Sequence, residues 1–270
     1  MNEKAKELLG KAKYDFADLC RVMEILRGEG GCPWDREQTH ESIRKNFIEE
    51  TYEVVEAIDT QDAHLLCEEL GDVLLQVVFH TQIEREAGRF TIDDVTDGIV
   101  KKLIYRHPHI FADTTAETAE TVLDNWDKLK AKEKHRDTVT ASMRSVPRPL
   151  PALMRAEKVG KRAAKVGFDF ATAADAAVKI AEETNEVLTA TDATRAEEVG
   201  DLLFAAVNVA RKCGVDPERA LSDATDKFIN RFAAVEDAVR ADGKTMEELP
   251  LSVLDTYWDR VKASRNGENT

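Results

Sequence analysis

Glu49-Glu50-Thr51-Tyr52-Glu53-Val54 returns 133 residues later as Glu182-Glu183-Thr184-Asn185-Glu186-Val187, identical at five of six positions. Working outward, Glu68-Glu69-Leu70-Gly71-Asp72-Val73-Leu74 is matched by Glu197-Glu198-Val199-Gly200-Asp201-Leu202-Leu203. Lys102-Leu103-Ile104-Tyr105-Arg106 is matched by Lys227-Phe228-Ile229-Asn230-Arg231, and Trp126-Asp127-Lys128-Leu129-Lys130 by Trp258-Asp259-Arg260-Val261-Lys262. Four blocks in one order are the mark of a duplicated domain. The expected organisation is a first helical domain over residues 1–135, a linker over 136–151 stiffened by Pro147, Pro149 and Pro151, and a second domain over 152–270.

Apolar residues recur at helical spacing within each copy. Phe47, Val54, Val55 and Ile58 form one stripe beside the acids, and 72–83 and 201–209 are apolar nearly all round, as in helices buried in a bundle. The stretch 172–189 is rich in Ala, the strongest helix former. No run of alternating β-branched residues appears, so the fold class is all-α, as tandem helical bundles.

Helical positions three apart share a face, so Glu50 and Glu53 project together, as do Glu183 and Glu186. Glu69 with Asp72, and Glu198 with Asp201, repeat the step on the following helix, which a short connection makes an antiparallel neighbour. Carboxylates converging beside apolar helices repel one another and call for a cation. Oxygen donors without His or Cys suit Mg²⁺, with Mn²⁺ as the alternative. A single Glu-x-x-Glu is usually a solvated helix face; the recurrence of the whole pattern argues against that here. Gly71 and Gly200 sit mid-helix at a cost of ~1 kcal/mol each relative to Ala, which predicts close packing or close approach of a ligand. Lys227 and Arg231, four apart on one face, are candidate phosphate grips, and Trp258 is either a flat face for a nucleobase or a core anchor.

Composition limits the partners. A chain of 270 residues with 43% hydrophobic residues folds into real cores, and its four scattered cysteines, without a Cys-x-x-Cys pair, read as reduced thiols. A net charge of −14 disfavours nonspecific nucleic-acid binding. The apolar runs are too short to span a membrane and the N-terminal stretch lacks a secretion signal's apolar core, so a cytoplasmic location is expected. Other motifs are weaker. His107-Pro108-His109 cannot present both rings on one helix face, and Glu37-Gln38-Thr39-His40 is one Glu-x-x-His where a di-iron bundle needs two. Cys32-Pro33-Trp34-Asp35 reads as a helix entry with Asp35 as its cap, and no Gly-rich phosphate loop is present.

As a set, Gly31-Cys32-Pro33-Trp34-Asp35, the two acidic blocks, and Arg106-His107-Pro108-His109-Ile110-Phe111-Ala112-Asp113 resemble the MazG nucleoside triphosphate pyrophosphohydrolases, over about residues 19–262. The resemblance implies an all-α NTP pyrophosphatase fold, a homodimer, Mg²⁺ dependence, binding of ATP and related nucleotides, and hydrolysis of NTP to NMP and pyrophosphate in the clearance of abnormal or excess nucleotides. It assigns activity to the second copy. There Glu183, Glu186, Glu198 and Asp201 match metal ligands, and Lys179, Glu182, Glu197, Lys227, Arg231 and Trp258 match nucleotide contacts. Lys130, from the end of the first copy, matches a lysine reaching the second copy's nucleotide. Where some relatives carry a nucleotide-contacting lysine, this chain reads Asp192-Ala193-Thr194-Arg195-Ala196, with Arg195 as the substitute. Glu182, Glu183 and Glu186 are the catalytic candidates, with Glu182 or Glu183 orienting or deprotonating the attacking water. The first copy keeps Glu50, Glu53, Glu69 and Asp72 as a second metal set. The rival readings are a helical interaction protein without catalysis, and a dUTP or phosphoribosyl-ATP pyrophosphohydrolase.

Overall fold

A computed structural model describes residues 3–112 and 138–267, with 118, 122 and 126 between them. The described residues contain helices and no strand, as the 3.6-residue periodicity requires. The chain divides into two compact units, 1–129 and 130–270.

In the first unit, α1 (Glu3–Leu9) leads to α2 (Phe16–Arg27), which starts at a capping box between Asp15 and Asp18. Asp18 is buried and accepts from Lys11 Nζ at 2.6 Å, which with the Asp15 backbone N–H holds its carboxyl below the usual carboxylate range. α3 (Pro33–Glu37) begins with Pro33 at its first position. Its cap is Cys32, without a side-chain bond, so Asp35 lies inside the first turn and does not cap. The long pair α4 (His40–Asp59) and α5 (Ala63–Glu86) follows, joined by three residues of which Gln61 has a positive φ of 57°. The unit ends in α6 (Ile92–Arg106) and α7 (Pro108–Phe111). Met23 of α2, Ile43 of α4 and Val78 and Phe79 of α5 make the core, with the Arg27 guanidinium over the Phe79 ring and forked onto Glu86 at 2.8 Å.

A polar chain crosses the far end of the α4–α5 hairpin. His40 Nδ1 lies 2.7 Å from His80 Nδ1, His40 Nε2 lies 2.5 Å from Glu84 Oε1, and Arg89 donates to Glu84. Arg89 first, and His40 after it, hold the Glu84 carboxyl down at about 2, while burial and then the charge of His40 lower His80. A lowered native pKa at His80 removes stability as pH falls below the ordinary histidine value of 6.5, and at Glu84 as pH falls from 4.5 toward 2. Glu84→Gln is therefore expected to flatten the acid limb of the stability–pH curve between 4.5 and 2. Urea titrations of both proteins across that range check it, and parallel curves would contradict it.

The second unit contains α8 (Val139–Arg144), α9 (Ala152–Ala164), α10 (Ala173–Thr189), α11 (Arg195–Lys212), α12 (Pro217–Ala241) and α13 (Leu251–Gly267). The segment read as an extended linker is helical in part: Thr138 caps α8, Val146 is buried, and Arg162 of α9 donates to the Ser142 carbonyl. Residues 136 and 137 lie outside the described residues. α10 opens at Thr172 with a capping box to Asp175, as α4 opens at Thr39 with Ser42, so the duplication extends to the caps. Five residues join α10 to α11, and Glu197 and Glu198 fall in the first turn of α11. Val235, Val239, Tyr257 and Val261 bind α12 to α13, with the Tyr257 hydroxyl donating to Asp242 at 2.6 Å.

One expectation of burial does not hold. Phe47, Val55 and Ile58 of the α4 stripe are exposed, as are Leu70 and Leu74 at the acidic end of α5 and Leu203 and Phe204 of α11. Among the described residues, most apolar burial lies toward the other end of each hairpin, at Ile43, Val78 and Phe79 in α4 and α5 and at Ala205 and Val207 in α11, with Ala57 buried near the bend of the first. Helical periodicity reveals that a stripe is apolar and leaves open which molecule covers it.

Candidate active site

The two antiparallel hairpins, α4–α5 and α10–α11, each carry acids on facing sides. In the first, carboxylate oxygens of Glu50, Glu69 and Asp72 approach within 4.8 Å of one another. Glu53 joins them electrostatically: burial first and then Glu53 raise Glu50, and the same two causes raise Glu69. In the second, Glu183, Glu186 and Glu198 come within 4.8 Å. Glu183 is 7% exposed, and its charge is the main cause that raises Glu186. Asp201 is not in that trio; it lines the adjoining cavity together with Glu183.

Lys179, one turn before Glu183, donates to Glu182 Oε1 at 2.8 Å and to Glu183 Oε1 at 3.1 Å, and these two partners raise its pKa. Arg195 turns to Asp192 at 2.8 Å, an exposed pair on the loop, while Glu197 is exposed. Lys227 is exposed on α12, and Arg231 lies with its guanidinium 5.0 Å from the Trp258 ring centroid. Among the described residues, neither cation bonds to the acids, and the buried Arg231 Nε has no acceptor. Trp258 also meets Phe228 at 5.2 Å and borders the α12–α13 core, so part of its face is covered. Lys130 and Asp113 lie outside the described residues.

Among the described residues, packing does not require Gly71 or Gly200, because no heavy atom outside the helix's own nearby backbone lies within 4 Å of where a Cβ would stand. Open space therefore adjoins the acids in both halves. His107 Nδ1 is taken up by the Leu103 carbonyl at 2.6 Å, which fits a structural role.

Behind the second acidic trio is a cavity of about 610 Å³, within the ~300–1,000 Å³ usual for small-molecule sites. Lys179, Glu183 and Asp201 form its charged wall, and Val159, Phe168, Phe170 and Phe204 its apolar lining. Asn208 and Arg211 add polar groups: Asn208 Oδ1 accepts from Arg211 Nη2 at 3.1 Å, and Arg211 clasps Asp169. Arg211, with Lys212 at 3.2 Å, keeps the Asp169 carboxyl far below its ordinary range. A Cβ on Gly160 would stand 3.2 Å from both Asn208 Oδ1 and Arg211 Nε, so the glycine lets that group lie against α9. Sequence reading did not find this cavity. Its parts come from four helices and a loop, and its local trace in the sequence is Gly167-Phe168-Asp169-Phe170 ahead of the α10 cap.

The model of the MazG nucleotide pyrophosphohydrolase domain matches residues 38–111 and 171–235, one segment in each unit. The chain is 45% identical over 248 residues to the nucleoside triphosphate pyrophosphohydrolase/pyrophosphatase MazG of Thermotoga maritima, covering 92% of this chain and 95% of that protein. It is 44% identical to the nucleoside triphosphate pyrophosphohydrolase of Escherichia coli, covering 90% and 95%, and 34% identical to that of Mycobacterium tuberculosis, covering 88% and 64%.

Proposed function

Since the chain belongs to the MazG family and is a nucleoside triphosphate pyrophosphohydrolase, releasing nucleoside monophosphate and pyrophosphate, we propose that its second half carries the reaction. The observation that supports this most is the meeting of Glu183, Glu186 and Glu198 beside a lysine and a roomy cavity. The donor set fits a hard divalent cation, Mg²⁺ or Mn²⁺: all its ligand atoms are carboxylate oxygens, and their mutual repulsion is what a cation relieves. Glu183, Glu186 and Glu198 would hold it, with Asp201 beside them. When bound, such an ion supplies charge neutralisation and Lewis-acid polarisation at the phosphates.

The chain's own groups do the rest. Glu182 accepts the proton of the water that attacks the α-phosphorus, and Glu183 orients that water from its buried position. Lys179, Lys227 and Arg231 offset the charge of the triphosphate and of the departing pyrophosphate, with Trp258 aiming Arg231 through its ring. The unsatisfied Arg231 Nε supports this, since a buried cationic donor without an acceptor is ready for an anion. Arg195, Glu197 and Lys130 complete the nucleotide contacts. The base enters the cavity lined by Phe168, Phe170 and Phe204, where the aromatic walls can stack on it.

The enzyme works as a homodimer in the cytoplasm, where its substrates are. Exposed Phe47, Tyr52, Val55, Leu203, Phe228 and Ile229 support dimerisation, because apolar faces of that extent favour a partner. Sedimentation equilibrium of the full chain checks it, and a monomer at micromolar concentration would overturn it. Pyrophosphate release from dATP and dGTP, with and without Mg²⁺, tests the metal reading, and a panel with dUTP and phosphoribosyl-ATP tests the substrate class. Glu50→Gln is expected to leave the rate within about twofold if the second half alone is catalytic; a large loss would show that both halves work.

A further inference from the structure

The two halves place a lysine differently at the acidic rung. Aligning Glu49 with Glu182 pairs Lys179 with Asn46, since 179 − 133 = 46. In the second half the Lys179 ammonium is held by Glu182 at 2.8 Å and by Glu183 at 3.1 Å, and Glu183 is the buried member of the trio. In the first half the neighbouring Lys45 pairs with Glu49 at 2.9 Å, the counterpart of Glu182. Among the described residues, Lys45 makes no ion pair with Glu50, Glu69 or Asp72. Among the described residues, a lysine therefore bonds to a member of the second trio and none bonds to a member of the first.

A divalent ion arriving alone at Glu183 has to compete with that ammonium, and the half-buried lysine gains nothing in exchange beyond solvent. When a triphosphate arrives with the ion, the ammonium exchanges one anionic partner for another and the penalty disappears. We propose that Lys179 is a resident counter-ion that keeps the second acidic site closed to free divalent cations and yields it when a triphosphate draws the lysine away. Ion and nucleotide then load together, and by linkage each strengthens the other's binding. The inference rests on the reading of Glu183, Glu186 and Glu198 as the ion's ligands.

The test uses the full chain carrying Glu50→Gln and Asp72→Asn, so that an ion held by the first-half acids does not enter the signal. Mn²⁺ binding is followed by electron paramagnetic resonance, first with Mn²⁺ alone and then with the preformed Mn²⁺ complex of an α,β-methylene triphosphate. Lys179→Gln is expected to bind Mn²⁺ alone about three- to tenfold more tightly, and the Mn²⁺–triphosphate complex about tenfold more weakly. Lys179→Arg, which keeps the charge, is expected to stay near the parent on both. Opposite shifts on the two ligands separate this role from a structural one, which would weaken both together. Unchanged or weaker binding of Mn²⁺ alone by Lys179→Gln overturns the proposal. Glu198→Gln is the control: if it leaves Mn²⁺ binding intact, the ligand assignment itself has failed, whatever Lys179 does.

Discussion

Glu183→Gln is expected to lower the rate of pyrophosphate release by at least about a hundredfold while leaving the far-ultraviolet circular dichroism unchanged. Gln has the same shape, so the substitution leaves α10 its propensity and its packing. What it removes is charge at the one member of the second trio that is buried, is bonded to Lys179 and borders the cavity. A divalent ion held as proposed would lose an anionic ligand there, since the amide can present only a neutral oxygen. Retention of full activity would show that the second trio is not the reaction centre. An unfolded variant would be recognised by its lost helicity, and Asp201→Asn, exposed on α11, then carries the same test.

Met23→Ala is expected to destabilise the first unit by about 2–5 kcal/mol. Met23 is 1% exposed where α2, α4 and α5 meet, against Ile43, Val78 and Phe79. Removing its side chain leaves a void bounded by three helices, two of them tied together by the His40–His80–Glu84 chain and one held by Arg27 to Glu86, so collapse is hindered. Domains of this kind have ~5–15 kcal/mol in total, so the loss is a large share of it. The shift in urea midpoint, at unchanged slope, measures the effect; a loss below about 1 kcal/mol would mean that the helices close over the gap.

The acidic trios were legible in the sequence because their geometry is local. Glu183 and Glu186 share a face by spacing alone, and the Glu198-x-x-Asp201 step lies one short connection away. Asp201 lines the cavity beside the trio, a placement that spacing alone does not carry. His40, His80 and Glu84 meet across 40 and 44 residues, with no periodic signal to join them. The cavity was hidden for the same reason, since Phe168 and Asn208 become neighbours only once α9, α10 and α11 have packed. The stripe on α4 shows a different limit: spacing marks Phe47, Val55 and Ile58 as apolar, yet Val55 and Ile58 are exposed and Phe47 meets the His80 ring edge-on at 5.8 Å while staying at the surface, so the pattern does not say what covers them. Asp35 lost the capping position to Cys32 because Pro33, without an N–H, fits the first helical position.

The copies differ also in how far each rung stands from its hairpin's bend. Between Glu50 and Glu69 the chain spends 19 residues, between Glu183 and Glu198 only 15, about one helical turn less. Glu69 is consequently well inside α5, whereas Glu198 occupies the opening turn of α11, where the aligned peptide dipoles present their electropositive pole. The electropositive pole of α11 thus falls on the acids of the second half, a local field that the deeper-set Glu69 does not share.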